Sequence, residues 1–382
     1  MRIRTITAAT FVKYEDMDEE IEEIGSFLND AREGFEEEGM EVQTVRLSTQ
    51  SFGTYQITGS KDGLLEQIVE MEKIVRRSEI DYLSIGPAMS PNYVSMIPDI
   101  LDSTTVTCAS AMVGDRRYGV NWDIVEEAAK AVKRISTLKG DGSKNFNFAS
   151  ISNVEPDTPF FPAAYHIDGP TSFSMGLENG DVVNKALEAA DDISDAARKL
   201  LDDYWSECRD LQERAISLST EGMEYSGLDV SFCPSIECDG SLALAIGNLL
   251  GKPFGSGGTL SICRMLTSVL DEIHVKRCGY CGLMLPVMED CGLAESADRG
   301  DLSTQRLLSY SSVCGTGLDM IPHPGKVSAE DIKWIIGDVA SLSVRLEKPL
   351  SARLLPVPGA GSKDSTSIDS PHLVNCKVIP II

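Results

Sequence analysis

Between Glu155 and Asp168 the chain gathers Glu155, Asp157, Tyr165, His166 and Asp168 in a proline-punctuated stretch. A histidine in that company can serve as general base or metal ligand, because its pKa lies near neutrality. Alternatively, Asp beside Pro and Gly builds turns, and His166 then only holds the loop. A second set, Ser256, Gly257, Gly258 and Thr259, follows Gly255 and leads into an apolar stretch. That layout offers free backbone N–H groups and the positive end of a helix dipole to a phosphate or carboxylate. No Lys-Ser or Lys-Thr pair follows the glycines, so the string is not a Walker loop; small residues for tight helix–strand packing are the other explanation. Asp239 and Ser241, flanking Gly240, read either as a helix N-cap or as polar groups at a strand's C-terminal end, where ligands of α/β proteins gather.

Two later strings add carboxylates and thiols. Glu289 and Asp290 divide acid and base roles if burial separates their pKa values, or else they start a helix reaching toward Asp298. Cys314, Gly315, Gly317, Asp319 and His323 bring the backbone close to a ligand or to another strand. Cys278 and Cys281 form a CxxC that invites a thiol redox or zinc reading. Against zinc, Cys291 and Cys314 are not spaced as a second pair; against thioredoxin-like chemistry, the GLMLPV that follows reads as a strand. Cys108 reads as a small apolar core residue.

The elements that must position these groups alternate. IRTITAATFV reads as a strand and Met17 to Gly39 as a helix, with Ile21, Ile24, Phe27, Leu28 and Ala31 on one face. Glu41 to Leu47, Asp81 to Ile85, Thr104 to Cys108 and Phe146 to Ile151 read as strands, and Gly63 to Arg77 and Asp123 to Leu138 as helices. Asp181 to Ser217, free of Gly and Pro, is a long helix or two joined ones. Further on, Leu228 to Cys233 is a strand, and Ser241 to Leu250, Thr259 to Ile273 and Ser328 to Leu346 are helices. Two late strands, Ser351 to Pro356 and Leu373 to Ile379, complete the pattern. This rhythm argues for a largely parallel sheet or barrel within one domain spanning residues 1–382.

Composition narrows the function. A formal charge of −25 repels phosphate backbones, so no nucleic-acid partner is expected. The apolar runs stop short of the ~20 residues of a membrane span, so no membrane partner is expected either. Ten cysteines scattered through a chain without a secretory signal suit a reducing, cytoplasmic setting better than a disulfide framework.

The strings VTCASAMVG, TPFFPAAYH, LDVSFCPSIECDGS, GSGGTLSICRML, LPVMEDCGL and CGTGLDMIPHPG together resemble the domain of unknown function 711 family, relatives of the UPF0210 proteins. The resemblance implies a pyruvate formate-lyase-like fold: a ten-stranded α/β barrel with surrounding helices and loops reaching into its centre. It does not imply that enzyme's chemistry. Glycyl radical enzymes resemble one another in an Arg-Val-Ser/Cys-Gly-Tyr signature near the C-terminus; here RCGY, Arg277 to Tyr280, lacks the aliphatic position, and Gly279 lies far from residue 382. The expectation is an enzyme binding a small anionic metabolite inside the barrel, with Glu155, Asp157, Asp168, Asp239, Ser241, Ser256, Gly257, Gly258 and Thr259 toward the ligand. His166, Glu289, Asp290, Asp319 and Cys314 would be its chemical groups. A non-catalytic metabolite sensor and a thiol redox protein through Cys278 and Cys281 are the alternatives. Cofactor and metal stay open, and a homodimer fits general frequency.

Overall fold

The computed structural model describes residues 1–55, 60–362 and 364–381. Its ten strands are β1 (Arg2–Thr10), β2 (Val45–Thr49), β3 (Tyr82–Ala88), β4 (Thr107–Asp115), β5 (Gly119–Val120), β6 (Phe148–Ser152), β7 (Ser172–Glu178), β8 (Glu224–Asp229), β9 (Gly317–Pro324) and β10 (Leu350–Val357). They form one sheet in the order β8-β7-β1-β2-β3-β4-β6-β10-β9, with β5 beside β4. The run β1-β2-β3-β4-β6 is parallel. At each end the direction reverses: β7 is antiparallel to β1 and β10 to β6, while β8 and β9 run parallel to the neighbours they flank.

The sheet is not closed. Residues 276–287 reach both of its outer sides through isolated parallel bridges, Leu228 with Arg277, Phe232 with Leu283, and Pro286 with Asp319, and do not form a continuous strand. The expected strand after Cys281 is therefore a bridged segment.

The helix Met17–Glu37 buries Met17, Ile21, Ile24, Leu28, Ala31 and Phe35, a three-and-four spacing that lays one apolar stripe on the sheet. Its last turn ends where Gly39 takes φ +84°, open to a residue without a Cβ. Asn121 caps Trp122–Ile135 by accepting from the Ile124 N–H at 3.2 Å. The stretch expected as one helix or two joined ones is two, Gly180–Glu188 and Ile193–Ser217. β7 was not expected and β8 lies four residues earlier than the pattern suggested, while Leu373 to Ile379 contributes only the bridge of Lys377 with Ser365. Among the described residues, no helix is long and apolar enough to cross a membrane.

Two apolar clusters separate the faces of the sheet. The large one joins the helices to the outer face. The smaller one holds Ala149 and Ile151 of β6, Val154, Phe160, Ala163 and Tyr165, together with Cys233, Tyr280 and Met284. It exists because residues 153–166 are laid across the inner face: the Thr7 hydroxyl donates to Pro159 O at 2.9 Å, the Ser84 hydroxyl to Ala164 O at 2.6 Å, and the His166 N–H to Thr49 O at 3.0 Å.

Candidate functional site

Beside this loop, where β1, β2, β3, β4 and β6 begin, lies a cavity of about 320 Å³. Arg2 and Arg4 open β1, Arg46 and Tyr82 sit near the starts of β2 and β3, Cys108 lies in β4, and Asp319 and Arg353 come from β9 and β10. Phe160, Phe161 and Pro162 form one wall and Met284 and Pro286 another, while Pro371 and His372 of the C-terminal segment reach it from a third side. The site lies at the opening ends of the central strands, not at the carboxyl ends where polar groups were expected to converge.

Its charges are paired in series. Glu178 at the end of β7 accepts from Arg2, from Arg4 and, at 2.9 Å, from the Gln43 amide. Arg4 also donates to Glu289 Oε2 at 2.9 Å; Arg353 donates to Glu289 Oε1 and to Asp319 Oδ1, each at 2.6 Å. The Glu178, Glu289 and Arg353 side chains are all less than one-tenth exposed. Burial opposes the charge on Arg4, but the facing Glu289 and Glu178 outweigh it and raise its pKa; on Arg353, Asp319 and Glu289 likewise overcome burial. Asp319 is raised, first by burial and then by Glu289, against the pull of Arg353.

Arg46 differs from the other cavity arginines. Its Nε donates to Thr44 Oγ1 at 2.9 Å, and its guanidinium carbon lies 5.5 Å from the Tyr82 ring centre and 5.2 Å from that of Phe161. Among the described residues it has no carboxylate partner. Burial, with Arg4 nearby, pushes it down to about 10, which leaves it charged at neutral pH. Burial and the neighbouring Arg4 lower the His372 imidazole. The two cavity thiols are pushed up by burial, Cys108 to about 11 and Cys233 to about 12, and so stay protonated.

Of the residues put forward in the sequence as ligand or chemical groups, Glu289 and Asp319 line this cavity and the others do not; Cys108, read as a core thiol, and Tyr280 of the RCGY string line it as well. His166 is buried beside the loop, with Nδ1 2.9 Å from Asp157 Oδ1, and Asp157 holds a left-handed φ of +60°. Glu155 and Asp168 are exposed, the former 3.8 Å from Arg116. Asp239 is exposed and its carbonyl accepts from the Asn184 amide at 2.7 Å. Ser241 caps Leu242–Leu250, and Asp290 caps Cys291–Arg299, the structural alternatives for both. Ser256, Gly257, Gly258 and Thr259 lead into Thr259–Asp271 at the surface, with Gly257 facing open space and Thr259 accepting from the Gly255 N–H at 3.1 Å. The anion-binding amides foreseen there are thus remote from the cavity, because the helix they start packs on the outer face.

Cys314 is a buried core thiol, its pKa raised by burial. The glycines around it answer to another strand: a Cβ on Gly315 would lie 2.2 Å from the Gly282 Cα. The RCGY string wraps a buried carboxylate. Asp229 accepts from the Tyr280 N–H at 2.7 Å and from the Cys281 N–H at 3.0 Å, and a Cβ on Gly279 would sit 2.2 Å from Asp229 Oδ2. Glycine at 279 therefore makes room for Asp229. Cys278 and Cys281 are not bonded to each other, and burial raises both thiols, which lowers their reactivity. The disulfide-free expectation needs correction at one pair: Cys238 and Cys291 are joined, with Cα atoms 5.5 Å apart, and eight cysteines are free.

Sequence reading missed Arg4, Arg46, Arg353, Glu178 and His372. The early RIR of β1 carried a signal, since two arginines at alternate positions share one face of a buried strand. They need carboxylates from elsewhere in the chain, and spacing does not supply those.

Fold and cavity define an α/β protein with an arginine-lined pocket on the inner face of a ten-stranded sheet. Residues 1–369 match the family model described as "Uncharacterised ACR (DUF711)", and the chain belongs to that family. It is similar to the UPF0210 protein of Caldicellulosiruptor saccharolyticus, 26% identical over 90% of this chain and 80% of the relative. The UPF0210 protein of Oenococcus oeni is 25% identical over 95% of this chain and 84% of its own length. That of Methanopyrus kandleri is 29% identical over 69% of this chain, which spans 60% of the relative's length.

Proposed function

We propose that the chain is an enzyme that binds a small anionic metabolite in the arginine-lined cavity, with the anionic group on Arg46. The observation that carries this reading is that Arg46 keeps its charge with no carboxylate beside it, in a pocket where the other guanidiniums are neutralised. A half-buried cation left in that state costs free energy, which an anion would recover. Asp319 and His372 supply the proton-transfer chemistry: Asp319, a carboxylate paired with Arg353, is held easier to protonate than a free one, and His372 is a neutral imidazole, so two proton acceptors face one pocket. Glu289 has both oxygens taken by guanidiniums and acts as their anchor.

The arrangement of strands supports the closed, pyruvate formate-lyase-like reading of the fold. Five central strands run one way, β7, β8, β9 and β10 the other, and residues 276–287 bridge both outer sides in parallel sense, where a closing strand would sit.

The test is a thermal-shift and calorimetric screen of phosphorylated sugars, keto acids and amino acids against wild-type protein and Arg46→Met. A stabilising ligand lost in Arg46→Met and turned over by wild type, but bound without turnover by His372→Ala, is the expected result. Equal binding by Arg46→Met overturns the reading. A ligand recovered chemically unchanged from the wild-type protein transfers the site to a sensor.

A further inference from the structure

The ion pairs of the cavity can be followed as one alternating series, Arg2, Glu178, Arg4, Glu289, Arg353, Asp319, each in contact with the next. Three guanidiniums meet three carboxylates, so the series carries no net charge. Glu41 and Glu237 touch only the outer end, at Arg2, and are more than half exposed, where water and salt screen them. The remaining titratable groups on the wall are neutral near pH 7. Cys108 and Cys233 are held as thiols, Tyr82 and Tyr280 as phenols by burial, and His372 as imidazole by burial and by Arg4. One elementary charge is left without an ion-pair partner inside the pocket, that of Arg46; Asp81, already paired with Arg32, acts on it only through space.

Geometry narrows the ligand further. Thr44 occupies the Nε side of Arg46, leaving the terminal pair of amino groups to the pocket, a fork that matches a planar carboxylate. Tyr82 and Phe161 rings lie near the guanidinium, and the lining includes the apolar side chains of Phe160, Pro162, Ile236 and Met284 among its polar groups.

Resting on the reading that the anion sits at Arg46, we infer that the natural ligand is a small monocarboxylate, one negative charge on an apolar or aromatic body. A phosphate dianion would bring a second negative charge that nothing in the pocket balances. Its entry would require a proton taken up from solvent, held either on the phosphate or on a group such as Asp319.

The experiment is isothermal titration of the full chain with two matched sets of probes: propionate and ethyl phosphate, and benzoate, benzamide and phenyl phosphate. Each anion is measured at pH 7.5 in two buffers of different ionisation heat, so that proton uptake is counted. Expected is binding of at least one carboxylate without proton uptake, with benzamide and the matched phosphate weaker by about tenfold or more. Any phosphate that binds should take up close to one proton. Arg46→Met should abolish the carboxylate heat, and an unchanged far-ultraviolet spectrum and melting curve would show that it folds. A phosphate that binds more tightly than its matched carboxylate with no proton uptake overturns the monocarboxylate inference. If Arg46→Met removes that phosphate binding, the anion site itself survives. Absence of binding by every carboxylate and phosphate overturns both.

Discussion

Replacing Asp290 by alanine removes one carboxylate from the start of two helices at once. Oδ1 accepts from the Ser241 hydroxyl and from the N–H groups of Gly292 at 2.8 Å and Leu293 at 3.1 Å; Oδ2 accepts from Leu242 at 2.9 Å and Ala243 at 3.2 Å. Leu242–Leu250 and Cys291–Arg299 thus present their positive ends to the same fully buried side chain. Not all of this is lost in Asp290→Ala. The Ser241 hydroxyl still accepts from the Leu244 and Gly292 N–H groups, at 3.1 and 3.2 Å, so the unpartnered donors are the N–H groups of Leu242, Ala243 and Leu293 and the Ser241 O–H. At about 1 kcal/mol for each buried donor, with the gain from no longer burying a carboxylate offsetting part of the charge-assisted bonds, the expected loss is about 3 kcal/mol. Burial already raises the Asp290 pKa, which shows the direction of that offset. Urea unfolding followed by circular dichroism, at unchanged m-value, measures it. Ligand affinity per folded molecule should be unaltered, since Asp290 does not line the cavity. A loss below about 1 kcal/mol would refute the double-cap account, and a tenfold drop in affinity with stability intact would restore a chemical role to Asp290.

Other perturbations test other parts of the structure. His323 is fully buried, its Nδ1 2.9 Å from Ile379 O, and burial lowers it to about 4. The unfolded chain therefore takes up a proton as pH falls through about 6.5 while the folded one does not; stability is complete above that pH, and about 2 kcal/mol is lost by pH 5. Unfolding curves at pH 7.5 and 5 should differ by that amount more in wild type than in His323→Asn. Gly315→Ala would drive a Cβ to 2.2 Å from the Gly282 backbone, and urea unfolding should show a loss of about 2 kcal/mol or more. The Cys238–Cys291 bond closes 53 residues, so its removal in the double serine variant should cost up to about 4 kcal/mol, and thiol titration of the unreduced, unfolded protein should count eight thiols.

Helices were legible where one apolar stripe met a stop signal, as in Met17–Glu37 and Ala329–Leu346, because those patterns depend on near neighbours alone. β7 was not. SFSMGLE alternates Ser172, Ser174 and Gly176 with Phe173, Met175 and Leu177, but it follows the IDGPTS turn residues, and its serines and glycine read as a continuation of that loop. Glu289 and Asp319 stood out as acids set among glycine and proline. Arg46 did not, since a lone arginine in VRLST looks like a solvated strand residue until Tyr82 and Phe161 are brought against it. His166 attracted a chemical reading by its rarity. Its position follows from the Asp157 carboxylate and from laying residues 153–166 on the inner face, a long-range fact. The acid cluster, glycine string and thiol pair were local signals, and the local jobs of capping, turning and close packing account for where most of them lie.

The alternating series joins side chains that a ribosome makes at opposite stages of its work: Arg4 pairs with Glu289 across 285 positions, and Arg353 emerges later still. During synthesis the opening strand carries two guanidiniums on its inward side that wait for Glu178 of β7, and Arg4 waits longer still for the Glu289 turn. The pocket thus matures last, after nearly the whole polypeptide has been released, and a chain stalled or cut before residue 353 would retain most helices and the pairs from Arg2 to Glu289 yet leave Asp319 and one oxygen of Glu289 without their guanidinium.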